Sequence, residues 1–503
     1  MNFPSGQMLN AADFASDEVI DCDVVVVGSG AGGAASAWRL SAAGLRVLIL
    51  EEGRKWEATE LSTKQSWAVR NLYAERGTSV AVGNVILPLP RGKTVGGSTF
   101  LNSAICFRTP DKVLKHWQSA LGIEWADAAK LAPVFAEVEQ AIGVVKLSEA
   151  VAKEHSLVFK RGCDALNLTG DFISRNAPGC VGCGLCQLGC PLGVKGSVDK
   201  NLIPMSLAAG AALVTCARVS TVLVENGVAK GVEAWGHLPV TEARGKKLTV
   251  RAKKVFLCAG AVSTPMMLLR QGVASTSGHV GNHLHVHLAS GAGALFEHVI
   301  DQWHGATQGY YLDLEGEGAV LETYSSTPDL MAVQFEHYKK PLSRLRHIAS
   351  CGVMMADTSE GTVRPGRDEG RSAMGYDVRP DDMRVLKKGL RQIGEVYFAA
   401  GAKEVVTGIV GAGPVTSLAE LERLLATDVQ PDQMSVYGSH PMSTCRMSAT
   451  RAEGVVKPTG ESWDIDNLII ADASVFPTAL GVNPQVTVMT VASVIAAQQL
   501  ARG

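Results

Sequence analysis

The chain lacks an excess of charge of either sign, because 47 Lys and Arg residues are matched by 49 Asp and Glu residues. The resulting net charge of −2 provides no electrostatic attraction to nucleic acid or to an anionic membrane surface. The chain also lacks an apolar stretch of the roughly 20 residues that a membrane-spanning helix needs. These absences argue against a nucleic-acid-binding protein and against a transmembrane protein.

Residues 1–20 lack Lys, Arg and the apolar core of a secretory signal. We therefore expect a cytoplasmic protein by default, with export alongside a partner subunit left open. The 503 residues are 46% hydrophobic and 19% charged, which is enough to bury a sizeable core. The length suits about three domains, or one large nucleotide-binding domain with a second part inserted into it.

The eleven cysteines are unevenly distributed. Those scattered along the chain are expected to be ordinary buried thiols: Cys22, Cys106, Cys163, Cys216, Cys258, Cys351 and Cys445. The remaining ones, Cys180, Cys183, Cys186 and Cys190, are separated by only two or three residues each. Such crowding favours a metal site over disulfides.

A β-α-β unit is predicted near the N-terminus. Residues 23–27 are a run of valines after an Asp, which is typical of a parallel strand buried on both faces. Gly28, Gly30 and Gly33 follow with G-x-G-x-x-G spacing, which permits a tight turn and close approach of the backbone to a pyrophosphate. A helix to residue 43 and a strand over residues 45–50 complete the unit. Glu51 then ends the second strand, where a carboxylate accepts from unphosphorylated ribose, so the pattern predicts FAD or NAD rather than NADP.

The rest of the chain carries weaker signals. Helices are predicted within residues 111–170 and over residues 381–400, and strands within residues 211–260 and 290–430. A final helix is expected near Pro484, with Asn483 as its N-cap and Pro484 at the first helical position. His283, His285 and His287 alternate, so a strand would place them on one face, either to bind a metal or to fill polar space.

Several segments, taken in order along the chain, resemble the signatures of the glucose–methanol–choline (GMC) oxidoreductases. Besides the glycine fingerprint they are residues 92–102 (GKTVGGSTFLN), 260–269 (GAVSTPMMLL), 439–447 (SHPMSTCRM), and 466–477 with 481–487 (DNLIIADASVFP and GVNPQVT). The resemblance covers most of the chain and is weakest over residues 290–430.

This resemblance implies an α/β fold with a discontinuous, Rossmann-like FAD-binding domain over residues 1–110, 200–290 and 430–503. A substrate-binding α+β part, built on an antiparallel sheet, would comprise residues 111–199 and 291–429, including a Cys-rich loop over residues 178–196. FAD rather than NAD is implied, bound without a covalent link because residues 90–93 offer no His. The fingerprint and the resemblance together place these residues around FAD: Gly28, Gly30, Ala31, Gly33, Glu51, Gly96, Gly97, Ser98, Asn102, Asp472, Pro484, Gln485 and Val486.

The resemblance also implies a catalytic pair. His440 is expected to be the base that removes the hydroxyl proton of an alcohol as hydride leaves its carbon, because the pKa of a histidine suits that task. Asn483 is expected to hydrogen-bond the substrate oxygen. As a helix cap, Asn483 would also place a positive helix end near the flavin.

The clustered cysteines have the spacing C-x2-C-x2-C-x3-C-P of a bacterial ferredoxin. They resemble the Cys-rich insertion of certain GMC dehydrogenases, which implies an iron–sulfur cluster held by Cys180, Cys183, Cys186 and Cys190. The fourth ligand is open between Cys190 and a remote residue such as Cys216. A three-iron cluster, a structural zinc, or free or disulfide-bonded cysteines are alternatives.

The sequence thus favours an FAD-dependent alcohol dehydrogenase that passes electrons through the cluster to a protein such as a cytochrome, with a small partner subunit also possible. One alternative is an oxygen-reducing alcohol oxidase in which the Cys-rich loop is structural. Another is a flavin-binding subunit without chemistry of its own. The identity of the alcohol is not encoded in any recognisable motif.

Overall fold

The computed structural model describes residues 1–239, 241–328, 331, 342–368 and 370–502. It contains the predicted β-α-β unit as β2 (Glu18–Val27), α1 (Ala31–Ala42) and β3 (Val47–Leu50). β2 and β3 pair in parallel, and every residue of β3 is buried because the strand is covered on both faces. β2 begins five residues earlier than predicted, since its first half pairs with a distant strand, with Glu18 opposite Leu248.

The first sheet is mixed and has eight strands. Its spatial order is β1 (Met8–Asn10), β9 (Ala212–Thr215), β3, β2, β12 (Arg244–Leu257), β11 (Val228–His237) and β10 (Ala217–Glu225), with β20 (Leu468–Ile470) paired to β12. Strands from both ends and the middle of the chain meet here, which confirms the Rossmann-like FAD-domain fold.

The second sheet has six strands, and every pairing in it is antiparallel. Its order is β19 (Glu404–Thr407), β13 (Ala289–Leu295), β16 (Ile348–Met355), β15 (Ala319–Tyr324), β14 (Tyr310–Leu314) and β7 (Asp171–Phe172). The predicted antiparallel α+β part is therefore confirmed. β16 is buried at all of its positions, because α9 (Pro380–Ala399) packs against it.

Two smaller sheets complete the strands of the described chain. One joins β17 (Thr362–Pro365) and β18 (Ser372–Gly375) to β4 (Val80–Val82) and β5 (Ile86–Pro88), and the other pairs β6 (Val145–Lys146) with β8 (Ser174–Arg175). The first of these sheets ties residues 80–88 to a segment nearly three hundred positions away, so the two predicted parts are interleaved.

The other helices surround the sheets. They are α2 (Gln65–Leu72), α3 (Asp111–Ser119), α4 (Ala128–Ile142), α5 (Glu149–Ala152), α6 (Glu154–Ala165), α7 (Leu202–Ala208), α8 (Gly260–Gln271), α10 (Leu418–Leu425) and α11 (Gln485–Ala501). No helix in the described residues is both long and apolar enough to cross a membrane.

The structure differs from the predicted domain division at α3 and α4. Trp117 of α3 and Phe135 of α4 share a core with the valines of β2, and α4 packs against α11. Residues 111–142 therefore pack against the FAD-binding part, and the domain division as a whole stays a prediction. Amphipathic periodicity shows that a helix has a buried face, but it does not show which sheet that face covers.

Candidate active site

A cavity of about 890 Å³ is lined by residues of both large sheets. A volume of this size is typical of sites for cofactors and small molecules. The residues predicted around FAD that line it are Gly28, Gly30, Ala31, Glu51, Gly97, Ser98, Asn102, Asp472, Pro484 and Gln485. Gly33, Gly96 and Val486 do not line it, and their contact with the cofactor stays a prediction. Val486 is completely buried in α11, and Gly33 and Gly96 lie against the protein's own backbone or side chains.

Glycine is required at the fingerprint positions for two different physical reasons. A Cβ on Gly28, which has φ +97°, would lie 2.5 Å from the Cys258 carbonyl oxygen, and one on Gly33 would lie 1.9 Å from the Gly28 oxygen. Both are therefore required by the fold itself. A Cβ on Gly30 would find only Gly97 Cα, at 3.9 Å, so nothing in the protein requires a glycine there. Gly30 is the N-cap of α1 and lines the cavity, which fits a position kept clear for a pyrophosphate at a helix N-terminus.

Glu51 lies in the cavity wall as predicted, but it is already engaged by the protein. Its Oε2 accepts from the Ser29 backbone N–H (3.0 Å) and hydroxyl (2.7 Å), and its Oε1 accepts from the Gly53 N–H (2.7 Å). Gly96 N–H in turn donates to the Ser29 oxygen at 3.0 Å. Burial raises the pKa of Glu51 to about 7. The predicted contact with a ribose stays a prediction, and Glu51 also joins the fingerprint turn to the Gly96–Gly97 segment.

Asn102 and Asp472 organise the cavity wall. Asn102 Nδ2 donates to Gln485 Oε1 at 2.8 Å, which joins the residue-92–102 segment to the start of α11. Asp472 Oδ2 accepts from the Gly260 N–H (2.8 Å) and the Thr264 hydroxyl (2.6 Å), so it fixes the first turn of α8. These bonds join the resembling segments in pairs. Residues 92–102 bond to residues 481–487, and residues 466–477 bond to residues 260–269.

His440 lies beside a second histidine, His287, that the prediction had not assigned to the reaction. His287 Nε2 accepts from the backbone N–H groups of Leu480 (3.0 Å) and Gly481 (3.1 Å), so the proton of neutral His287 is on Nδ1. That Nδ1 lies 3.2 Å from His440 Nδ1, where His287 donates and His440 accepts. The proton of neutral His440 is therefore on Nε2, the nitrogen left for the cavity.

Both rings are neutral near pH 7. Burial lowers the pKa of His287 to about 4 and the pKa of His440 well below its usual value. A neutral His440 with a proton on Nε2 can donate a hydrogen bond to a substrate oxygen. In this tautomer it has no free lone pair on Nε2, and its predicted role as the base stays a prediction.

Asn483 does not cap the last helix, which corrects the prediction. α11 begins at Gln485 with Pro484 at the cap position, and no side chain caps it. The Asn483 side chain lines the cavity near the Glu322 carboxyl, whose pKa it lowers, and its Oδ1 has no hydrogen-bond partner in the described part of the chain. The side chain meets a carboxyl group on the second sheet instead of the helix N-terminus, so its placement depends on tertiary structure.

Glu322 is a cavity residue that sequence reasoning missed. It lies on β15, is only 4% exposed and accepts from Gln308 Nε2 at 2.7 Å. Within the residues that the structure describes, Glu322 Oε1 has no hydrogen-bond partner, and burial raises the pKa of Glu322 to about 7. The single charged residue of the strand AVLETY, which follows three apolar residues, is the signal that could have revealed it.

The segment that carries the three alternating histidines is not a regular strand, so the condition for the predicted shared face is not met. His283 and His287 have φ values of +60° and +51°, which break the strand alternation. His283 Nδ1 lies 2.8 Å from Glu360 Oε2, and His285 Nδ1 lies 3.6 Å from a carboxylate oxygen of Asp357. Of the three, only His287 lines the cavity.

The cysteines are all free thiols, and the scattered ones are buried as predicted. In the Cys-rich loop, the buried guanidinium of Arg175 donates to Cys186 Sγ at 3.0 Å and to Cys180 Sγ at 3.6 Å. Buried Lys195 donates to the backbone oxygens of Cys186 (3.0 Å) and Asn102 (2.9 Å), which joins the loop to the cavity wall. These two cations hold the pKa of Cys186 below its usual value despite its burial. No group of three or more His, Cys, Asp or Glu side chains in the described part of the chain is arranged to hold a metal ion.

Comparison with known proteins gives a consistent result. Two profiles of the GMC oxidoreductase family match residues 69–289 and 347–492, and an FAD binding domain profile matches residues 23–80. A GMC-type oxidoreductase of Mycobacterium tuberculosis is 36% identical over 97% of this chain and 77% of its own length. A long-chain-alcohol oxidase of Arabidopsis thaliana is 29% identical over 94% of this chain and 68% of its own.

Solved structures show the same fold. Formate oxidase of Aspergillus oryzae superposes with a TM-score of 0.73 at 17% identity, covering 97% of this chain and 99% of its own. Pyridoxine 4-oxidase of Mesorbium loti superposes with a TM-score of 0.69 at 18% identity, covering 95% of this chain and 99% of its own.

Proposed function

Because this chain belongs to the glucose–methanol–choline (GMC) oxidoreductase family, we propose that it oxidises the CH–OH group of an organic alcohol with FAD as its resident cofactor. One observation carries the proposal. A single cavity is lined at once by the fingerprint residue Gly30 and by His440 and Asn483. A cofactor held on the fingerprint and an alcohol held by the pair would therefore share one space.

The residues present fit FAD. Gly30 leaves room at the N-terminus of α1, and Gly97 closely approaches Gly30, with its Cβ position 2.9 Å from Gly30 Cα. Ser98, Asn102 and Gln485 offer polar groups in the same wall. When bound, the flavin supplies the acceptor, N5, for the hydride of the alcohol carbon.

The chain's own residues bind and orient the alcohol. We propose that His440 and Asn483 meet the substrate oxygen, as the sequence predicts. His440 presents Nε2–H to that oxygen, and Asn483 presents an amide whose Oδ1 has no hydrogen-bond partner among the described residues. His287 keeps His440 in this orientation, because two backbone N–H groups fix its own tautomer. Burial excludes water, which strengthens each of these bonds.

The proposed activity is tested by mixing the purified holoprotein with primary and secondary alcohols under anaerobic conditions. We expect loss of the oxidised-flavin absorbance with an alcohol and no change with the corresponding methyl ether, which lacks the hydroxyl proton. A flavin that dithionite reduces but no alcohol reduces would contradict the proposal.

The electron acceptor distinguishes two versions of this function. The Cys-rich loop favours the predicted dehydrogenase, because its cysteine spacing resembles the insertion of certain GMC dehydrogenases. The names of the relatives favour an oxidase, since a long-chain-alcohol oxidase and a pyridoxine oxidase are among them. After anaerobic reduction by substrate, slow reoxidation by oxygen with fast reoxidation by a cytochrome would support the dehydrogenase. Rapid reoxidation by oxygen with release of hydrogen peroxide would support the oxidase.

The iron–sulfur cluster remains a prediction. As placed, the four thiols do not form a metal-binding group, so the residues do not fit a cluster, and we derive no electron-transfer step through one. Iron, zinc and acid-labile sulfide measured on anaerobically purified protein test it. The prediction requires iron and sulfide in the wild type and their loss in Cys183→Ser, with Cys163→Ser, a buried thiol outside the loop, as the matched control. Protein without iron would contradict it, and stoichiometric zinc would favour a structural site.

A further inference from the structure

Residues 77–90 form a hairpin that carries no charged side chain and has an apolar outward face. Its strands β4 and β5 pair in antiparallel, with Val82 opposite Ile86. The side chains of Ala81 and Leu87, which alternate with these, are completely buried, whereas Val82 is 58% exposed and Ile86 is 72% exposed. The hairpin therefore has two apolar faces, of which only one is covered by the described residues.

The outward face extends beyond this one pair of residues. Val80 and Pro88 lie opposite each other on the same two strands, and both are exposed. β18 pairs with β4 and continues the face with exposed Ala373. β5 is the edge strand of this four-stranded sheet. Contiguous apolar residues at an exposed sheet edge are unfavourable in water and are typical of a surface that binds a partner.

Arginines border the apolar face on its own sheet and on the helix α8 beside it. They are the exposed residues Arg76, Arg270, Arg364, Arg367 and Arg371. They outnumber the acidic residues of the same segments, which are Asp368, Glu369 and Asp377. Because salt screens charges beyond about 10 Å, this local excess, and not the net charge of the chain, decides the attraction to a nearby anionic surface.

The arginine border also lies at the opening of the cavity. Arg76 and Pro90, at the two ends of the hairpin segment, are exposed and line the cavity. Arg270 and Arg371 do the same from the neighbouring elements. Whatever covers the apolar face is therefore close to the entrance of the cavity.

The size of the face favours a lipid surface over a second copy of the chain. A stable dimer buries about 20 to 30 residues on each partner, and this face consists of a few short side chains. β5 has only three residues and ends at Pro88, which has no N–H to donate, so it offers little to an added strand. A lipid surface requires no shape match, because apolar side chains enter the headgroup boundary while basic residues contact the phosphates.

We propose that the 77–90 hairpin docks on an anionic lipid surface, with Val80, Val82 and Ile86 inserted at the boundary of the acyl chains. The bordering arginines contact the lipid phosphates. Docking places the opening of the cavity against the lipid. This inference goes beyond the proposed alcohol oxidation and does not depend on it.

The test is cosedimentation of the holoprotein with mixed vesicles of phosphatidylcholine and phosphatidylglycerol. We expect the wild type to bind and Val82→Thr/Ile86→Thr to bind about tenfold more weakly or less, because two apolar side chains lose their insertion. Threonine keeps the β-branch that suits a strand, so the hairpin should stay folded. The matched control is Val410→Thr, which changes a 68% exposed apolar residue outside this sheet and should bind like the wild type.

The arginine contribution is measured separately with Arg367→Gln. This variant should bind the mixed vesicles about fivefold more weakly at low salt, and added salt should remove the difference. On vesicles of phosphatidylcholine alone it should match the wild type.

Insertion is observed directly with Ile86→Trp. The new tryptophan should show a blue-shifted emission when mixed vesicles are added, and lipids brominated on their acyl chains should quench it. Thermal denaturation of each variant without vesicles shows that it is folded.

Several outcomes would overturn the proposal. They include a wild type that binds neither kind of vesicle, equal binding by folded Val82→Thr/Ile86→Thr, and an Ile86→Trp emission that vesicles leave unchanged. A dimer in light scattering that Val82→Thr/Ile86→Thr dissociates, without vesicle binding, would assign the face to a second copy instead. A flavin that no alcohol reduces, in a protein that still binds vesicles through the hairpin, would contradict the proposed function and leave the docking intact.

Discussion

His440→Ala is expected to slow anaerobic reduction of the flavin by alcohol about 10³-fold. His440 presents the Nε2–H that would stabilise the substrate oxygen as its proton leaves, and the substitution removes that donor. The loss is large because a hydrogen bond to a developing charge, in a cavity that excludes water, gains strength in the transition state. The effect should fall on kcat as well as on kcat/KM.

The matched control for His440→Ala is His116→Ala, because His116 is exposed on α3 and does not line the cavity. Its flavin reduction should equal that of the wild type. Flavin content and thermal stability are measured in both variants, so that a loss of cofactor is not mistaken for a loss of chemistry. A His440→Ala variant that keeps full activity would favour the alternative of a flavin-binding subunit without chemistry of its own.

Gly30→Val is expected to weaken FAD binding about 100-fold or more while leaving the apoprotein folded. Apart from its chain neighbours, nothing in the described residues lies closer than 3.9 Å to a Cβ at this position, and the backbone there is extended, so the fold tolerates a side chain. The same side chain would occupy the space that the pyrophosphate needs at the N-terminus of α1. Fluorescence titration of the apoprotein with FAD measures the effect.

Gly33→Val is the counterpart of Gly30→Val. We expect it to lower the stability of the apoprotein, which Gly30→Val should leave folded. A Cβ there would lie 1.9 Å from the Gly28 carbonyl oxygen, which is backbone and cannot move aside cheaply. We expect the free energy of unfolding of the apoprotein to fall by about 3 kcal/mol or more, measured by denaturation without FAD. Equal losses of stability in both variants, or normal FAD binding by Gly30→Val, would contradict this assignment. Gly33 would then not be required only by the fold, or Gly30 not by the cofactor.

The histidines of residues 283–287 show why a pattern along the sequence did not predict the local backbone. Alternation in sequence predicts one shared face only if the backbone is a regular strand. Positive φ values at His283 and His287 are imposed by their surroundings, where Asp357 Oδ1 accepts from the His287 N–H at 2.9 Å. A single sequence contains no sign of that long-range contact.

The sequence by itself determined the nucleotide-binding half of the site. The turn from β2 to α1 is made by residues adjacent in the chain, so their spacing is sufficient to specify the β-α-β unit and Gly30 within it. The motif segments likewise predicted His440 and Asn483 at the site, and both line the cavity. The last helix was predicted near Pro484 and begins one residue later, although Asn483 is not its cap.

Only the tertiary structure decided how the reacting groups are paired. His287 meets His440 across 153 positions, and Glu322 meets Asn483 from a strand of the other sheet. These contacts depend on how the two sheets face each other across the cavity, which no local periodicity records. The same packing removes water from the cavity and so sets the pKa values of Glu322 and His440. The residue types available for chemistry are thus readable along the chain, whereas their protonation depends on burial and on partners that only folding brings together.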